Sequence, residues 1–234
     1  MRLDKYLCDC GIGSRSEVKR EITSGNVSVN NRTIKDCGTQ VSENDLIIHR
    51  GNTLKYKANL YYVMNKPAGY ITATKDDSAK TVMDMIEPNL AGRIVPVGRL
   101  DKDTEGLLLF TDDGELNHML LSPKRHVSKT YRCLLESSIR DDDIKCLESG
   151  VDIGDKVPTM PAIVERTASK EILLTISEGR YHQVKRMLEA VNNKVIYLQR
   201  TAFGPMKLSE TGLNPGECRE LTDEEINMLK AAIQ

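Results

Sequence analysis

The order of helical and strand patterns along the 234-residue chain limits its fold more than any other feature. Apolar residues recur at helical spacing in some segments and form short strand-like runs in others. The regular strand–helix–strand spacing of a parallel α/β sheet is missing from this order. The sequence therefore predicts an α+β fold, and the lack of a fixed-period repeat excludes repeat architectures.

The first 58 residues predict two helices followed by short strands. Leu3, Tyr6 and Leu7 recur at helical spacing, and the segment from Ser14 to Glu17 is a capping box that starts a second helix. Val27–Val29 alternates like a strand. The pattern continues with a turn at Asn30–Asn31, a strand at Leu46–Ile48 and a polar linker at Gly51–Asn59.

From Leu60 onward the patterns predict a larger domain. Its strand candidates are Leu60–Met64, Leu107–Thr111, Thr130–Leu135, Ile172–Ser177 and Val195–Gln199. Its helix candidates are Thr81–Ile86, Ile139–Ser149, His182–Val191 and Asp223–Ile233, the last opened by a capping box at Thr222–Glu225.

Charge is distributed unevenly along the chain. Residues 1–58 carry 10 Lys and Arg against 7 Asp and Glu, a net +3, whereas the remainder is −4 and the whole chain −1. This asymmetry predicts a small basic module, residues 1–58, ahead of a larger domain, residues 59–234. Three stretches of the larger domain contain cations and no acids: residues 116–135, 179–188 and 190–209. They form a basic cleft if they share a face, and separate solvated faces if they do not.

Composition excludes several classes of protein. No run approaches the ~20 apolar residues of a membrane helix, and the N-terminus lacks the apolar core of a signal peptide, so we expect a cytoplasmic protein. Six cysteines are too few for a disulfide scaffold, and Cys8-x-Cys10 lacks a second pair at zinc spacing. Aromatic residues make up 4%, which argues against a fold built on base-stacking platforms. The motifs of P-loop, dinucleotide-binding, serine hydrolase and zinc protease enzymes are missing from the sequence.

A polar loop that leads into an apolar strand is the first candidate for chemistry. It reads Gly98-Arg99-Leu100-Asp101-Lys102-Asp103-Thr104-Glu105-Gly106. Loops held by rigid strands often carry reactive groups. Asp101, Asp103 and Glu105 fit three interpretations: paired glycosidase carboxylates, ligands of a hard metal ion, or ordinary loop acids. Composition alone favours the last.

The second candidate is the segment Glu178–Met187, where a glycine breaks a strand and a helix begins close behind. A helix N-terminus with nearby cations suits an anionic partner such as phosphate. His182 is either a general base or, more commonly, a hydrogen-bonded structural or RNA-contacting residue. Lys185 is either a surface cation or the counter-charge of a buried carboxylate. Tyr131, in an apolar strand, is most simply a core residue.

Together these segments resemble the ribosomal RNA pseudouridine synthases. Gly98-Arg-Leu-Asp101-x-x-Thr104-x-Gly106 is similar to the catalytic motif of that family. Other motifs of that family are matched by three more segments of this chain: Lys66-Pro67-x-Gly69, Lys129-x-Tyr131 and Gly179-Arg-Tyr-His-Gln-Val-Lys-Arg186. The first module resembles S4-type RNA-binding domains through Arg2-Leu-Asp-Lys5, Ser14-Arg15, Gly25-x-Val27-x-Val29-Asn30 and Asp45. Residues 176–187 resemble most the RsuA-type branch, which acts on small-subunit rRNA.

The resemblance implies a fold and a reaction. The fold is α+β, with a small S4-like αα-β module followed by a domain whose mixed, mostly antiparallel sheet is flanked by helices. The reaction is site-specific isomerisation of a uridine in 16S rRNA to pseudouridine, without cofactor or metal: the N1–C1′ bond breaks, uracil rotates, and C5 joins C1′. A 23S rRNA target and a non-catalytic role in ribosome assembly are the alternatives.

The resemblance also implies residue roles. Asp101 is the essential carboxylate, acting on C6, on C1′ or on a sugar proton, and Lys185 is the cation that keeps it ionised in a cleft that excludes water. Tyr131 stacks on uracil and is a candidate proton carrier. Supporting positions are Arg99, which replaces the flipped base, Leu198, which packs beside Asp101, and Lys66.

RNA contacts are expected from both domains. In the S4-type module, phosphate contacts that position RNA without reading its sequence are expected from Arg2, Lys5, Arg15, Lys19 and Arg20. In the larger domain, contacts are expected from Lys129, Arg180, His182 and Gln183. The expected partner is ribosomal RNA, naked or in a partly assembled ribonucleoprotein, with no membrane, and we expect the protein to be a monomer.

Overall fold

The computed structural model describes residues 1–233 and forms two compact units. The first comprises Met1–Asn59 and Pro88–Gly92, and the second Leu60–Glu87 and the chain from Arg93 onward. Within the described part of the chain, no helix has the length and apolar character needed to cross a membrane.

The first unit combines helices with a small antiparallel sheet of strand order β2-β1-β3-β4. Its elements are α1 (Leu3–Asp9), α2 (Arg15–Thr23), β1 (Val27–Val29), β2 (Arg32–Thr33), β3 (Ile47–His49), β4 (Asn52–Leu54) and the short α3 (Pro88–Ala91). Leu3, Tyr6 and Leu7 of α1 are buried with Val18 and Ile22 of α2 in one hydrophobic cluster. Both predicted helices and the strand at Val27–Val29 are confirmed.

Local signals in the sequence account for the helix start and the first hairpin. The Ser14 N–H donates to Glu17 Oε2 at 2.8 Å, and the Glu17 N–H donates to Ser14 Oγ at 3.5 Å, which is the predicted capping box. Asn30 and Asn31 have positive φ angles of 49° and 65°. Two such residues make the tight turn that matches the twist of paired strands.

The prediction of a linker at residues 51–59 is wrong for Asn52–Leu54. These residues form β4, which pairs with β3. The connecting residues Arg50 and Gly51 both have positive φ, 47° and 84°, as a two-residue hairpin turn requires. The segment is polar because it lies at the edge of the sheet, where a strand needs few apolar residues.

Glu21 gives this unit a predictable acid sensitivity. Its carboxylate accepts hydrogen bonds from Arg50 at 2.7 and 2.8 Å, and lies 2.6 Å from His49 Nε2. These contacts, Arg50 first, lower the pKa of Glu21 from 4.5 to about 2. A carboxylate with a lowered pKa stabilises the fold above pH 4.5 and loses that contribution as the pH falls towards 2. We expect Glu21→Gln to lower the urea midpoint at pH 7, by a margin that shrinks as the pH falls from 5 to 2.

Urea unfolding followed by circular dichroism at several pH values measures this margin. The exposed Glu43→Gln removes a carboxylate of the same unit as the control. A margin that stays constant down to pH 2 contradicts the prediction.

The second unit is built around one large sheet. Its strands are β5 (Tyr61–Lys66), β6 (Val95–Val97), β7 (Glu105–Thr111), β8 (Lys129–Leu135), β9 (Ile163–Ala168), β10 (Glu171–Ile176), β11 (Val195–Phe203), β12 (Met206–Lys207) and β13 (Cys218–Glu220). Its α-helices are α4 (Gly114–Leu121), α5 (Asp141–Ser149), α6 (Gln183–Ala190), α7 (Leu208–Thr211) and α8 (Asp223–Ala231). Short 3₁₀ turns span Val82–Met85 and Pro123–Arg125.

The sheet is mixed and mostly antiparallel, as the resemblance implied. Its main path runs β13-β5-β7-β11-β8-β10-β9, with β6 paired to β7 and β12 to β11. The β7–β11 pair is parallel, and the other pairs between described strands are antiparallel. Val63, Leu107 and Phe203 of the sheet share a hydrophobic core with Leu116 of α4 and Leu229 of α8.

Most predicted elements of this unit are confirmed, with shifted ends. The helix predicted at Thr81–Ile86 is a 3₁₀ turn with Thr81 as its N-cap. Elements without a prediction are α4, which starts at the N-cap Asp113, the short helix α7, the 3₁₀ turn at Pro123–Arg125, and the strands β6, β9, β12 and β13. β9 is mostly exposed, so it lacks the apolar alternation on which strand prediction depends.

Gly106 is required where β7 meets β11. Its φ is +104°, and a Cβ at this position would lie 2.3 Å from the Arg200 carbonyl oxygen. Only glycine permits such a close approach of two backbones. The start of β7, and the loop before it, are therefore held against Arg200 in the middle of β11.

Candidate active site

The loop between β6 and β7 carries Asp101. Gly98 turns the chain with a φ of +74°, and Leu100 is buried. The Thr72 hydroxyl donates to the Leu100 carbonyl at 2.8 Å and accepts from the Leu100 N–H at 3.0 Å. The residue before Asp101 is therefore anchored, while 27% of the Asp101 side chain stays accessible.

Lys66 anchors the other side of the same loop. It ends β5, and its side chain is fully buried. Its Nζ donates to the carbonyl oxygens of Asp101 at 3.0 Å, Thr104 at 2.7 Å, Pro67 at 3.1 Å and Lys102 at 3.5 Å. Burial lowers the pKa of Lys66 to about 8, and the nearby charges of Asp103 and Asp101 act in the opposite direction. The predicted supporting position is thus a cation that gathers the carbonyls of the loop.

The loop before α6 is braced by its own side chains. Arg180 donates to Glu178 at 3.0 Å and to the Val157 and Pro158 carbonyls at 2.7 and 2.8 Å. The buried Gln183 accepts from the Arg180 N–H and donates to Glu178, both at 2.9 Å. The bonds that both side chains make here brace the loop. Contact of Arg180 and Gln183 with RNA stays a prediction.

Two side chains of this segment, those of His182 and Lys185, lie within 3.5 Å of the Asp101 carboxylate. His182, the residue before α6, has its Nε2 3.5 Å from Asp101 Oδ1. Lys185, within the first turn of α6, has its Nζ 3.2 Å from Asp101 Oδ2 and 2.7 Å from Asp103 Oδ1. One ammonium group is therefore shared by two carboxylates, and Lys185 is the counter-charge of Asp101 and not a free surface cation.

The shared ammonium group changes two pKa values. Burial lowers the pKa of Lys185, but the hydrogen bond to Asp103 and the charge of Asp101 outweigh burial, so the pKa lies above 10.5. The hydrogen bond from Lys185 lowers the pKa of Asp103 below 3.8. Lys185 therefore stays protonated and Asp103 ionised across the neutral pH range.

Asp101 and Lys185 line a cavity of about 690 Å³. Tyr131 of β8, Leu198 of β11 and Arg99 line the same cavity. Tyr131 is 8% exposed and Leu198 is 5% exposed. The structure thus places the three predicted catalytic residues, Asp101, Tyr131 and Lys185, around one cavity with the supporting residues Arg99 and Leu198. Tyr131 is largely buried and also lines the cavity.

Two buried cations form another part of the cavity wall. Lys129 Nζ lies 5.5 Å, and the Arg200 guanidinium 5.2 Å, from the centre of the Phe203 ring. Lys129 donates to the Val127 carbonyl at 2.7 Å, and burial followed by the charge of Arg200 lowers the pKa of Lys129 to about 8. Each of the three acid-free stretches contributes to the cavity wall, through Lys129, through Arg180 and Lys185, and through Arg200. The basic-cleft alternative is therefore confirmed for these cations.

The three loop acids differ in their partners and in their exposure. Asp101 and Asp103 share Lys185, whereas Glu105 accepts a hydrogen bond from Tyr197 at 2.8 Å. Asp103 is 73% exposed, unlike a buried glycosidase acid. Among residues 1–233, no group of three or more His, Cys, Asp or Glu side chains is placed to hold a metal ion. The geometry thus singles out Asp101.

The cations predicted to bind RNA in the first unit fall into two groups. Arg2 is paired with Asp4 at 2.7 Å and Lys5 with Asp9 at 2.8 Å. The other three lie exposed on α2: Arg15, Lys19 and Arg20. The α2 cations are therefore the more available of the two groups.

Sequence reasoning missed several residues of this site. Arg200 is 2% exposed, and its Nη2 atom has no hydrogen-bond partner in the described chain. Thr72 lies 28 residues before Leu100 in the sequence, yet its hydroxyl bonds to both backbone groups of Leu100. Asp103 was predicted only as a loop acid, a glycosidase carboxylate or a metal ligand, and its pairing with Lys185 at 2.7 Å was not predicted.

Comparison with known proteins identifies the family. Residues 60–190 match the RNA pseudouridylate synthase family, and residues 1–47 match the S4 domain family. The uncharacterized RNA pseudouridine synthase YtzG of Bacillus subtilis is 45% identical over 235 residues, covering 98% of both chains. The ribosomal small subunit pseudouridine synthase A of Escherichia coli is 40% identical over 228 residues, covering 97% of this chain and 98% of its own.

A solved structure agrees with the sequence relatives. The crystal structure of a pseudouridylate synthase aligns with a TM-score of 0.70 at 38% identity, covering 98% of this chain and 99% of that one. The chain belongs to the RNA pseudouridylate synthase family and carries an S4 domain ahead of its synthase domain.

Proposed function

We propose that this protein converts one uridine of small-subunit (16S) ribosomal RNA to pseudouridine, with Asp101 as the essential carboxylate. Family membership supports the reaction, and the small-subunit synthase of Escherichia coli, similar over nearly the whole chain, supports the target. The observation that carries the assignment of Asp101 is its 3.2 Å ion pair with Lys185 inside the cavity that Tyr131 lines.

The reaction requires a carboxylate placed against the ribose–uracil unit. The N1–C1′ bond breaks, the C5–C1′ bond forms, C5 loses its proton, and N1 gains one. Lys185 offsets the charge of Asp101 in a cavity where water is partly excluded. The two anchors of the loop, Lys66 and Thr72, hold Asp101 in place, so the reacting groups meet without reorganisation.

The target uridine has to leave its stack to reach Asp101. Flipping a base out costs a few kcal/mol, and stacking on an aromatic ring returns ~1–3 kcal/mol. The Tyr131 ring in the cavity wall supplies that stacking surface, and its hydroxyl is the candidate proton carrier. Arg99 occupies the gap that the flipped base leaves, and Leu198 packs beside the carboxylate.

The chain combines two functional parts. Residues 1–58 form the S4-type module, in which Arg15, Lys19 and Arg20 of α2 contact phosphates, and residues 59–234 form the catalytic domain. The protein acts as a monomer in the cytoplasm, on ribosomal RNA that is naked or in a partly assembled ribonucleoprotein. Such RNA still exposes unpaired bases that can be flipped and read.

Mapping pseudouridines in both ribosomal RNAs tests the proposal. Cells that lack the protein are compared with the same cells supplied with the wild type or with Asp101→Asn. We expect one 16S pseudouridine to disappear, to return with the wild type and to stay missing with the variant. Loss of a 23S pseudouridine instead would show that the target lies in large-subunit rRNA. Unchanged maps contradict the proposal.

A further inference from the structure

Tyr181 is an exposed aromatic residue without a role in the proposed reaction. It is 75% exposed, more than any other large hydrophobic residue of the described chain. Its ring stacks on His182, with 3.9 Å between the ring centres and 18° between the planes. One face of the Tyr181 ring is thus covered by His182, and the side chain keeps a large surface open to solvent.

The backbone holds this pair of rings in place. His182 has a φ of +47°, a conformation that residues other than glycine rarely adopt. The Tyr181 carbonyl accepts a hydrogen bond from Arg186 at 3.0 Å, and the preceding Arg180 is clamped by its bonds to Glu178 and to two carbonyls. Strained backbone that surrounding bonds maintain is typical of functional sites.

The two rings extend outward from the catalytic carboxylate. His182 Nε2 lies 3.5 Å from Asp101 Oδ1, and both rings line the same cavity as Tyr131. Tyr181 is a single ring beside cations and a carboxylate, which is unlike the broad apolar patch of a protein-docking surface. Every nucleobase has a π-face that stacks on such a ring, whatever its sequence.

We propose that Tyr181, backed by His182, is a stacking platform for a nucleobase next to the flipped uridine in the RNA strand. This inference rests on the proposed function, because it requires RNA in the cavity. The platform holds the neighbouring base while the uridine occupies the space beside Tyr131, so it contributes to RNA affinity and not to bond breaking.

Abasic substitution in the RNA tests the platform. The probe is the transcribed 16S fragment that carries the mapped uridine, with single abasic sites at each flanking position. For the wild type, we expect one adjacent abasic site to raise the Kd about tenfold, the value of one stacked base. With Tyr181→Leu, the intact fragment binds about tenfold more weakly and the same abasic site has no further effect.

Two variants separate stacking from a structural role. Tyr181→Phe keeps the ring, and we expect it to bind like the wild type. Ile163→Ala removes another exposed apolar side chain, 69% exposed on β9, and should also leave the Kd unchanged. If each abasic site raises the Kd equally for the wild type and for Tyr181→Leu, the platform is overturned. This holds even where tritium release from 5-³H-uridine RNA shows that the enzyme is active. No tritium release by the wild type, from the fragment alone or from the fragment bound by ribosomal proteins, contradicts the proposed function, and the platform with it.

Discussion

Asp101→Asn is expected to lower the rate of pseudouridine formation by at least ~10³-fold, as removal of a reacting group commonly does. The amide has the size of the carboxylate and lacks its charge, so it cannot act as a nucleophile or base. Tritium release from 5-³H-uridine RNA under single-turnover conditions measures the loss.

The fold should survive this substitution. The Asp101 carbonyl keeps its bonds to Lys66 and to the Thr104 N–H, since neither uses the carboxylate. Lys185 keeps Asp103 at 2.7 Å, so no unpaired ammonium group is left in the cavity. We therefore expect an unchanged circular dichroism spectrum and unchanged RNA affinity.

Asp142→Asn is the matched control. It makes the same chemical change at a carboxylate that is 86% exposed on α5 and paired with Lys145. Wild-type rates are expected from it. An Asp101→Asn enzyme that retains full activity would show that another group performs the chemistry, and the proposed role of Asp101 would then be abandoned.

Lys66→Met is expected to destabilise the protein by about 3 kcal/mol, because buried carbonyls lose their donor and cannot reach water. The carbonyls concerned belong to the loop that carries Asp101. If the loop shifts by about 1 Å, the Asp101 carboxylate is misplaced, so kcat should fall about 10²-fold with a smaller change in KM. Urea unfolding and steady-state kinetics provide the two measurements.

Lys129→Met is the control for burial itself. Burial lowers the pKa of Lys129 to about 8, as it does for Lys66. Lys129 donates to one carbonyl, that of Val127, and lies near the charge of Arg200. Its loss should cost about 1 kcal/mol, the usual net value of one hydrogen bond. Equal losses in the two variants would mean that the carbonyl cluster around Lys66 adds no special stability.

Local patterns predicted the elements that hold the site better than the contacts within it. The capping box at Ser14, the strand that follows Gly106 and the helix that carries Lys185 are written in neighbouring residues, and the structure contains all three. Edge strands such as β9 were missed because an exposed strand does not need alternating apolar residues.

The contacts at the site depend on pairing between distant segments. Lys66 appeared in a motif, but its acceptors are carbonyls up to 38 positions away, which no side-chain pattern reveals. The burial of Arg200 follows from the approach of β11 to Gly106. The grouping of Asp101, Tyr131 and Lys185 came from family resemblance, since residue types alone favoured ordinary loop acids.

The parallel contact between β7 and β11 also has a consequence for how activity is acquired during folding. It joins Gly106 to Arg200, and the ion pair that accompanies it joins Asp103 to Lys185 across 82 positions. Contacts between residues so far apart in sequence form late, because the loss of chain entropy precedes their energetic gain. Enzymatic turnover is thus a reporter of completed folding. In a refolding experiment, it should return after the helical signal and together with burial of the sheet.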